Sequence, residues 1–333
     1  MKVVHLRRVL AASAALSALT ASGTAQGRLE ALRRDRAAAR GRAAAGASES
    51  IALAFQGMAR RYLLHAPANA TGPLVLAFHG GSETPENLES ISGLDALADR
   101  HGFIVAYPEG IGRSWADGRG TTDADRHGID DVGFARAVVA DIARAHAVDP
   151  LRVYATGPSN GGIFANRLGC DAAETFAAIG PVIGTLPSAL IDRCRPSAPI
   201  AVAGIQGVAD PVVPFNGGEV GGPLKGAAGG TVASSRATQD VWRTANGCAA
   251  AADITSVPVR VHDGTSITRR AYRGCRGGAD VVWYEIQGGG HRWPPHQSTG
   301  IEERLAAREL GASSQNIDAA ETLWQFFAAH PKH

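Results

Sequence analysis

Arg152-Val-Tyr-Ala-Thr-Gly-Pro-Ser-Asn-Gly-Gly-Ile-Phe-Ala165 is the stretch on which the reading of the chain turns. Val153, Tyr154 and Thr156 are β-formers leading into a turn, and Ile163, Phe164, Ala165 and Leu168 follow at the spacing of one helical face. Between them, Gly157-Pro158-Ser159-Asn160-Gly161 is a G-x-S-x-G. A strand that bends sharply into a helix through this pattern lifts the serine Oγ to where a substrate can reach it. The glycines are required because a Cβ there would collide with the neighbouring strand or helix. In a chain with 41 glycines the five residues say little alone. Their weight comes from the strand before, the helix after, and the residues further out on both sides.

Upstream, Leu74-Val-Leu-Ala-Phe78 is a continuous apolar run, expected of a strand buried on both faces, and it ends in His79-Gly80-Gly81-Ser82. Residues 51–55 and 60–65 read as a hairpin about Gln56-Gly57. Residues 87–100 predict one helix with Leu88, Ile91, Leu94 and Leu97 on one face, and 103–107 predict the next strand. Residues 109–129 read as a solvated polar loop holding Trp115 and Asp117-Gly-Arg-Gly120. The carboxylates Asp123, Asp125, Asp130 and Asp131 cluster near it without the spacing of a calcium-binding EF-hand. Asp130 and Asp131 fall instead at the positive end of a helix predicted over 132–146.

Downstream, 176–184 and 199–205 predict strands, and the second runs into Gln206-Gly-Val-Ala-Asp-Pro211. Residues 216–234 read as a mobile, Gly-rich surface loop, and 235–246 as a helix with Val241 and Trp242 in the core. Residues 257–261 and 266–272 predict a second hairpin about Asp263-Gly264. A strand over 280–286 leads to Gly288-Gly-Gly-His-Arg-Trp293, and a helix over 317–329 closes the chain. No internal repeat is visible. Mainly apolar strands alternating with helices over 50–330 predict one α/β domain, a mostly parallel central sheet covered by helices on both faces.

The first 25 residues have the pattern of a secretory signal peptide. Lys2, Arg7 and Arg8 precede a short apolar run, and Gly23-Thr-Ala25 supplies small residues for cleavage. The run is too short to span a bilayer, so no stable membrane insertion is expected. Residues 26–49, rich in Ala and Arg with little to bury, read as a leader or linker. The formal net charge of +2 belongs to these segments; from residue 50 onward acidic residues outnumber basic ones. That balance argues against a nucleic-acid partner. Four cysteines behind a signal peptide read as two disulfides, and no C-x-x-C offers a zinc site. Local pairing, Cys170 with Cys194 and Cys248 with Cys275, is the expected connectivity.

Serine-based acyl transfer needs a base for the hydroxyl, an acid to orient the base, and donors for the oxyanion. In an α/β-hydrolase these follow in the order serine, acid, histidine. Ser159 is the candidate nucleophile. Asp210, just past an apolar strand, is the candidate acid, with Asp192 as rival. His291, in a Gly-rich loop after a strand, is the candidate base, with His296 and His262 behind it. The backbone N–H groups of Asn160 and Gly81, with Ser82 next, are the candidate oxyanion donors.

The set Phe78-His-Gly-Gly81, Asp117-Gly-Arg-Gly120, Asp130-Asp-Val-Gly-Phe134, Thr156-Gly-Pro-Ser-Asn-Gly-Gly162, Ala209-Asp-Pro-Val-Val-Pro-Phe-Asn-Gly-Gly218 and Gly289-Gly-His-Arg-Trp-Pro294 resembles the secreted polyhydroxybutyrate depolymerase and feruloyl esterase family. The resemblance runs in order through nearly all of 50–330. It implies an α/β-hydrolase serine esterase with Ser159, Asp210 and His291 as triad, local disulfides, and neither metal nor organic cofactor. The implied substrates are polyester oligomers or hydroxycinnamoyl esters, and the implied location is secreted or periplasmic. Two positions depart from the family: Gln206-Gly207-Val208 stands where His-Gly-Thr is common, and Pro158 where Leu or Met is usual. Trp115 and Trp293 are candidates for the wall that binds the acyl or aryl group. The competing readings are a catalytically silent binding protein of the same fold, which would lack part of the triad, and a serine peptidase, which would carry a large extra domain.

Overall fold

Alternation along each central strand determines the architecture. Leu74, Leu76 and Phe78 point into one apolar cluster, and Val75 and Ala77 into another. Val153 and Ala155 join the first cluster and Tyr154 the second. Strands apolar on both faces must be covered on both faces, and helices do so here. The protein is described by a computed structural model over residues 48–221, 229–296 and 307–332, all within the compact unit Ser48–His333. The signal and all but the last two residues of the proposed linker lie outside the described residues.

Among the described residues twelve strands are formed: β1 (Glu49–Phe55), β2 (Met58–His65), β3 (Leu74–Ala77), β4 (Ile104–Pro108), β5 (Val153–Pro158), β6 (Ala178–Val182), β7 (Ala201–Gly207), β8 (Gly218–Glu219), β9 (Thr231–Val232), β10 (Asp253–Val257), β11 (Ser266–Tyr272) and β12 (Val281–Gln287). Ten make the main sheet in the order β1-β2-β4-β3-β5-β6-β7-β12-β11-β10. The run from β4 through β12 is parallel, and antiparallel hairpin strands flank it on both sides. The helices are α1 (Pro85–Ser92), α2 (Leu94–His101), α3 (Asp123–Arg126), α4 (Asp131–Ala145), α5 (Asn160–Asp171), α6 (Ser235–Ala245) and α7 (Ala319–Ala329). α4, α5 and α6 cover one face through Phe134, Val138, Phe164, Leu168 and Trp242. α1, α2 and α7 cover the other through Leu88, Leu97, Leu323 and Phe327. The predicted α/β-hydrolase architecture is thus the one observed.

Several local expectations are corrected. The single helix over 87–100 is two, because Gly93 takes a left-handed φ of 71° and ends α1 as it starts α2. The second hairpin pairs Val257 with Ile267, so β10 lies earlier than expected and its loop is longer. Val259 and Val261 are exposed in that loop, while the Asp263 carboxylate accepts the N–H groups of Thr265 and Gln315. The loop at 109–129 is not solvated at its centre. Trp115 and Asp117 are fully buried, and Asp131 makes a buried ion pair with Arg60 at 2.8 Å. The glycine-rich segment at 216–234 carries the β8–β9 pair, with Val220 and Val232 buried against Ile163; its residues 222–228 lie outside the described residues. The first hairpin turns as expected, with positive φ at both Gln56 and Gly57.

Both disulfides form in the expected local pairing, Cys170–Cys194 and Cys248–Cys275. Among the described residues no helix is long and apolar enough to cross a membrane.

Candidate active site

Four loops meet at the carboxyl ends of β3, β5, β7 and β12, the edge where open α/β sheets place their chemistry. Ser159 follows β5 and precedes α5 in a strained conformation, with φ 55° and ψ −123°. The surrounding backbone enforces it. Ser159 N–H donates to Val182 O at 3.0 Å, and Ser159 O accepts from Ile163 N–H at 2.8 Å. A Cβ at Gly157 would lie 2.2 Å from Phe78 O, and one at Gly161 only 1.9 Å from the same atom. The two glycines of the G-x-S-x-G are therefore what allows β3 and α5 to approach each other.

β7 delivers Asp210 and β12 delivers His291. The Asp210 Oδ1 accepts N–H donors from Val212 at 2.8 Å and Val213 at 2.9 Å. That leaves Oδ2 to meet His291 Nδ1 at 2.8 Å, with Gln206 Nε2 a weaker donor to it at 3.3 Å. The His291 Nε2 lies 2.9 Å from Ser159 Oγ. Asp210 and His291 are both buried, so water competes little for these bonds. The histidine loop is stitched to the segment after it, with His291 N–H donating to Leu310 O and Gly290 N–H to Ala312 O. Asp192 is exposed and lines a separate groove of ≈ 740 Å³ with Cys194 and Asp240. His262 is exposed, and His296 donates its backbone N–H to Ser313 Oγ; neither rival histidine takes the place of His291.

The loop after β3 is almost fully paired. Gly80 N–H donates to Glu83 Oε2 at 3.0 Å, Ser82 N–H to Arg113 O at 2.8 Å, and Trp115 Nε1–H to His79 O at 2.8 Å. The His79 ring accepts Gly110 N–H at Nε2, so its Nδ1 carries the proton and donates to Gly80 O. Burial holds this imidazole below its usual pKa. Burial likewise raises the Glu83 carboxyl, against the Gly80 N–H bond and the field of His291. Gly81 N–H and Asn160 N–H donate to nothing among the described residues. Their Cβ positions are in ordinary contact, a Cβ on Gly81 falling 3.7 Å from Asn160 Cβ. Two unpaired N–H groups on adjoining loops beside a serine are what an oxyanion hole requires. Ser82, the alternative donor, is already committed.

The sequence model of the esterase PHB depolymerase family matches residues 59–205. NocK of Nocardia uniformis subsp. tsuyamanensis, named as a candidate esterase, is 35% identical over 285 residues, 81% of this chain and 79% of that one. The chain belongs to the esterase PHB depolymerase family. It is a carboxylesterase. Feruloyl esterase B of Piromyces equi is 31% identical over 246 residues, 70% of this chain but 42% of the longer relative. The acetyl xylan esterase structure from Aspergillus awamori shares the fold, with a TM-score of 0.54 at 15% identity, covering 79% of this chain and 98% of that one.

The two tryptophans expected to form the binding wall of this esterase are buried instead. Trp115 has no exposed surface; it stacks on Phe164 at 5.3 Å and meets Phe78 edge-on at 5.1 Å. Trp293 is 3% exposed and belongs to the apolar cluster of Ile183, Ile205 and Ile286. Large apolar rings beside a polar cluster gain more by joining the core than by lining a wet cleft. Glu83 carries no signal in the sequence, whereas Asp117 is signalled by the Asp117-Gly-Arg-Gly120 motif and Gln206 by its departure from the family pattern.

Proposed function

We propose that the chain is an exported serine esterase that works through an acyl-enzyme on Ser159, with His291 as base and Asp210 as its orienting acid. The observation that carries this reading is the imidazole bridging Asp210 Oδ2 at 2.8 Å and Ser159 Oγ at 2.9 Å. With Nδ1–H held by the carboxylate, Nε2 is the free base. It takes the Ser159 proton as Oγ attacks the ester carbonyl, and the carbonyl electron pair moves onto oxygen. The N–H groups of Asn160 and Gly81 receive that oxyanion. Collapse expels the alcohol, protonated by His291; His291 Nε2 then takes a proton from water as its oxygen attacks the acyl carbonyl, and the second collapse breaks the bond to Ser159 Oγ, which recovers the proton from His291 as the acid leaves. The two disulfides fit an oxidising compartment and hence export.

The substrates are hydroxycinnamoyl or polyester-oligomer esters. Support comes from the family match and from the names of relatives that hydrolyse feruloyl esters or acetylated xylan. Parallel assays on methyl ferulate, 3-hydroxybutyrate oligomers and acetylated xylan test it. Turnover of methyl ferulate or of the 3-hydroxybutyrate oligomers, abolished in Ser159→Ala, is expected; turnover of neither by folded wild-type protein, or of acetylated xylan alone, overturns the substrate class.

A further inference from the structure

The two oxyanion donors sit on different elements, Gly81 in the loop after β3 and Asn160 at the start of α5, and one buried segment ties them together. Asn160, whose N–H is one donor, is anchored through its side chain. Its Oδ1 accepts Trp115 N–H at 2.8 Å, and its Nδ2 donates to Asp117 Oδ2 at 2.7 Å and to Trp115 O at 3.3 Å. The other donor, Gly81 N–H, follows a carbonyl sequence pinned from the same side: Trp115 Nε1–H holds His79 O at 2.8 Å. A single tryptophan therefore bonds the Asn160 side chain with its backbone and the His79–Gly81 loop with its indole.

The segment is itself held at each residue. Asp117 accepts Arg119 N–H at 3.0 Å and Arg119 Nε–H at 2.9 Å, with both side chains almost wholly buried. Ala116 N–H donates to Asp131 Oδ2 at 2.8 Å, and that carboxylate is fixed in turn by Arg60. Arg167 donates to Ala116 O. Thr122 Oγ1 donates to Trp115 O at 2.9 Å. A buried polar network that fixes each residue of the segment preorganises the donors it carries, and preorganised donors at an oxyanion hole are what lower the barrier.

Resting on the reading of Ser159 as nucleophile, we propose that Trp115 and Asp117 are positioning residues. They form a strut that aims the Asn160 and Gly81 N–H groups at one point. The strut touches no substrate; its effect falls on the transition state, where charge appears on the oxygen, and not on ground-state binding.

Trp115→Phe removes the indole N–H while keeping an aromatic ring between Phe78 and Phe164. Asn160→Ala removes the second tie and leaves the donor N–H in place. On p-nitrophenyl acetate each variant is expected to lose about 10- to 100-fold in kcat with KM within about twofold, since a small misplacement of catalytic groups costs that much. Affinity for a trifluoromethyl ketone, whose adduct carries the oxyanion, falls in parallel, while affinity for the corresponding non-electrophilic alcohol is unchanged. Circular dichroism and thermal unfolding identify which variants are folded. A folded variant with kcat within threefold of wild type, or with ketone and alcohol affinities falling equally, overturns the strut. Ser159→Ala separates the two claims: if it keeps esterase activity, the nucleophile assignment fails regardless of what the strut variants do.

Discussion

Asp210→Asn isolates the contribution of one proton position. In the wild type, Asp210 Oδ1 receives two backbone N–H groups, from Val212 at 2.8 Å and Val213 at 2.9 Å. An amide NH₂ placed there would face two donors, so the asparagine carbonyl must occupy that side. Its NH₂ then faces His291 Nδ1, which is 2.8 Å away in the wild type. The imidazole can meet a donor only as an acceptor, so its proton moves to Nε2. That nitrogen now donates to Ser159 Oγ instead of accepting from it, and the base is lost. The substitution is isosteric and the backbone bonds survive, so folding is preserved. The expected loss is about 10⁴-fold in kcat, the scale of a wrong-tautomer triad, or about 5 kcal/mol of transition-state stabilisation. Initial rates on p-nitrophenyl acetate, with thermal unfolding as control, measure it. A folded Asp210→Asn enzyme within tenfold of wild type would show that Asp210 does not set the tautomer.

Three further outcomes follow from the packing and the charges. Gly161→Ala places a Cβ 1.9 Å from Phe78 O and is expected to cost about 3 kcal/mol or more in urea unfolding. Gly81→Ala meets only an ordinary 3.7 Å contact and should unfold within about 1 kcal/mol of wild type; equal costs for the two would refute the elbow packing. Each disulfide closes a short loop, 24 and 27 residues in separation, and its removal by paired Cys→Ser substitution should lower stability by roughly 3 kcal/mol, an unchanged unfolding midpoint being the contrary result. Burial pushes the Asp95 carboxyl up to about 6, against the Tyr107 hydroxyl bond and the His65 field, with Glu89 adding to the rise. The folded state then holds this proton more tightly than the unfolded chain, so the Asp95 contribution to stability falls as pH climbs from about 4 to about 6. Asp95→Asn should flatten that part of the stability–pH curve, and an unaltered slope would contradict it.

Much of this was readable from residue patterns because the relevant physics is local. Strands buried on both faces announce themselves as apolar runs, and a Gly-flanked serine between a strand and a helix permits few conformations. The placement of Asp210 and His291 beside Ser159 was legible from their position after strong strands, since topology brings strand ends together. What the pattern did not disclose depends on contacts distant in sequence. Trp115 lies 36 residues from His79 and 45 from Asn160, so its two bonds leave no periodic trace. Its aromatic, loop-borne character pointed to a binding wall, yet burial against Phe164 and Phe78 decided otherwise. Asp117 read as part of a solvated loop and Asp131 as a helix-end charge, whereas both are buried, with Arg119 and Asn160 on Asp117 and Arg60 and Ala116 N–H on Asp131 making that burial tolerable. The break at Gly93 was visible as a glycine, but the apolar face continuing from Leu88 to Leu97 concealed it.

The central claim is that Ser159 becomes covalently modified by the substrate's acyl group. Incubation with a fluorophosphonate, followed by proteolysis and mass mapping of the adduct, tests it most directly. One phosphonyl group on the peptide containing Ser159 is predicted, with labelling lost in Ser159→Ala and strongly slowed in His291→Ala. An active enzyme that takes up no label at Ser159, or is labelled at another serine, would contradict it.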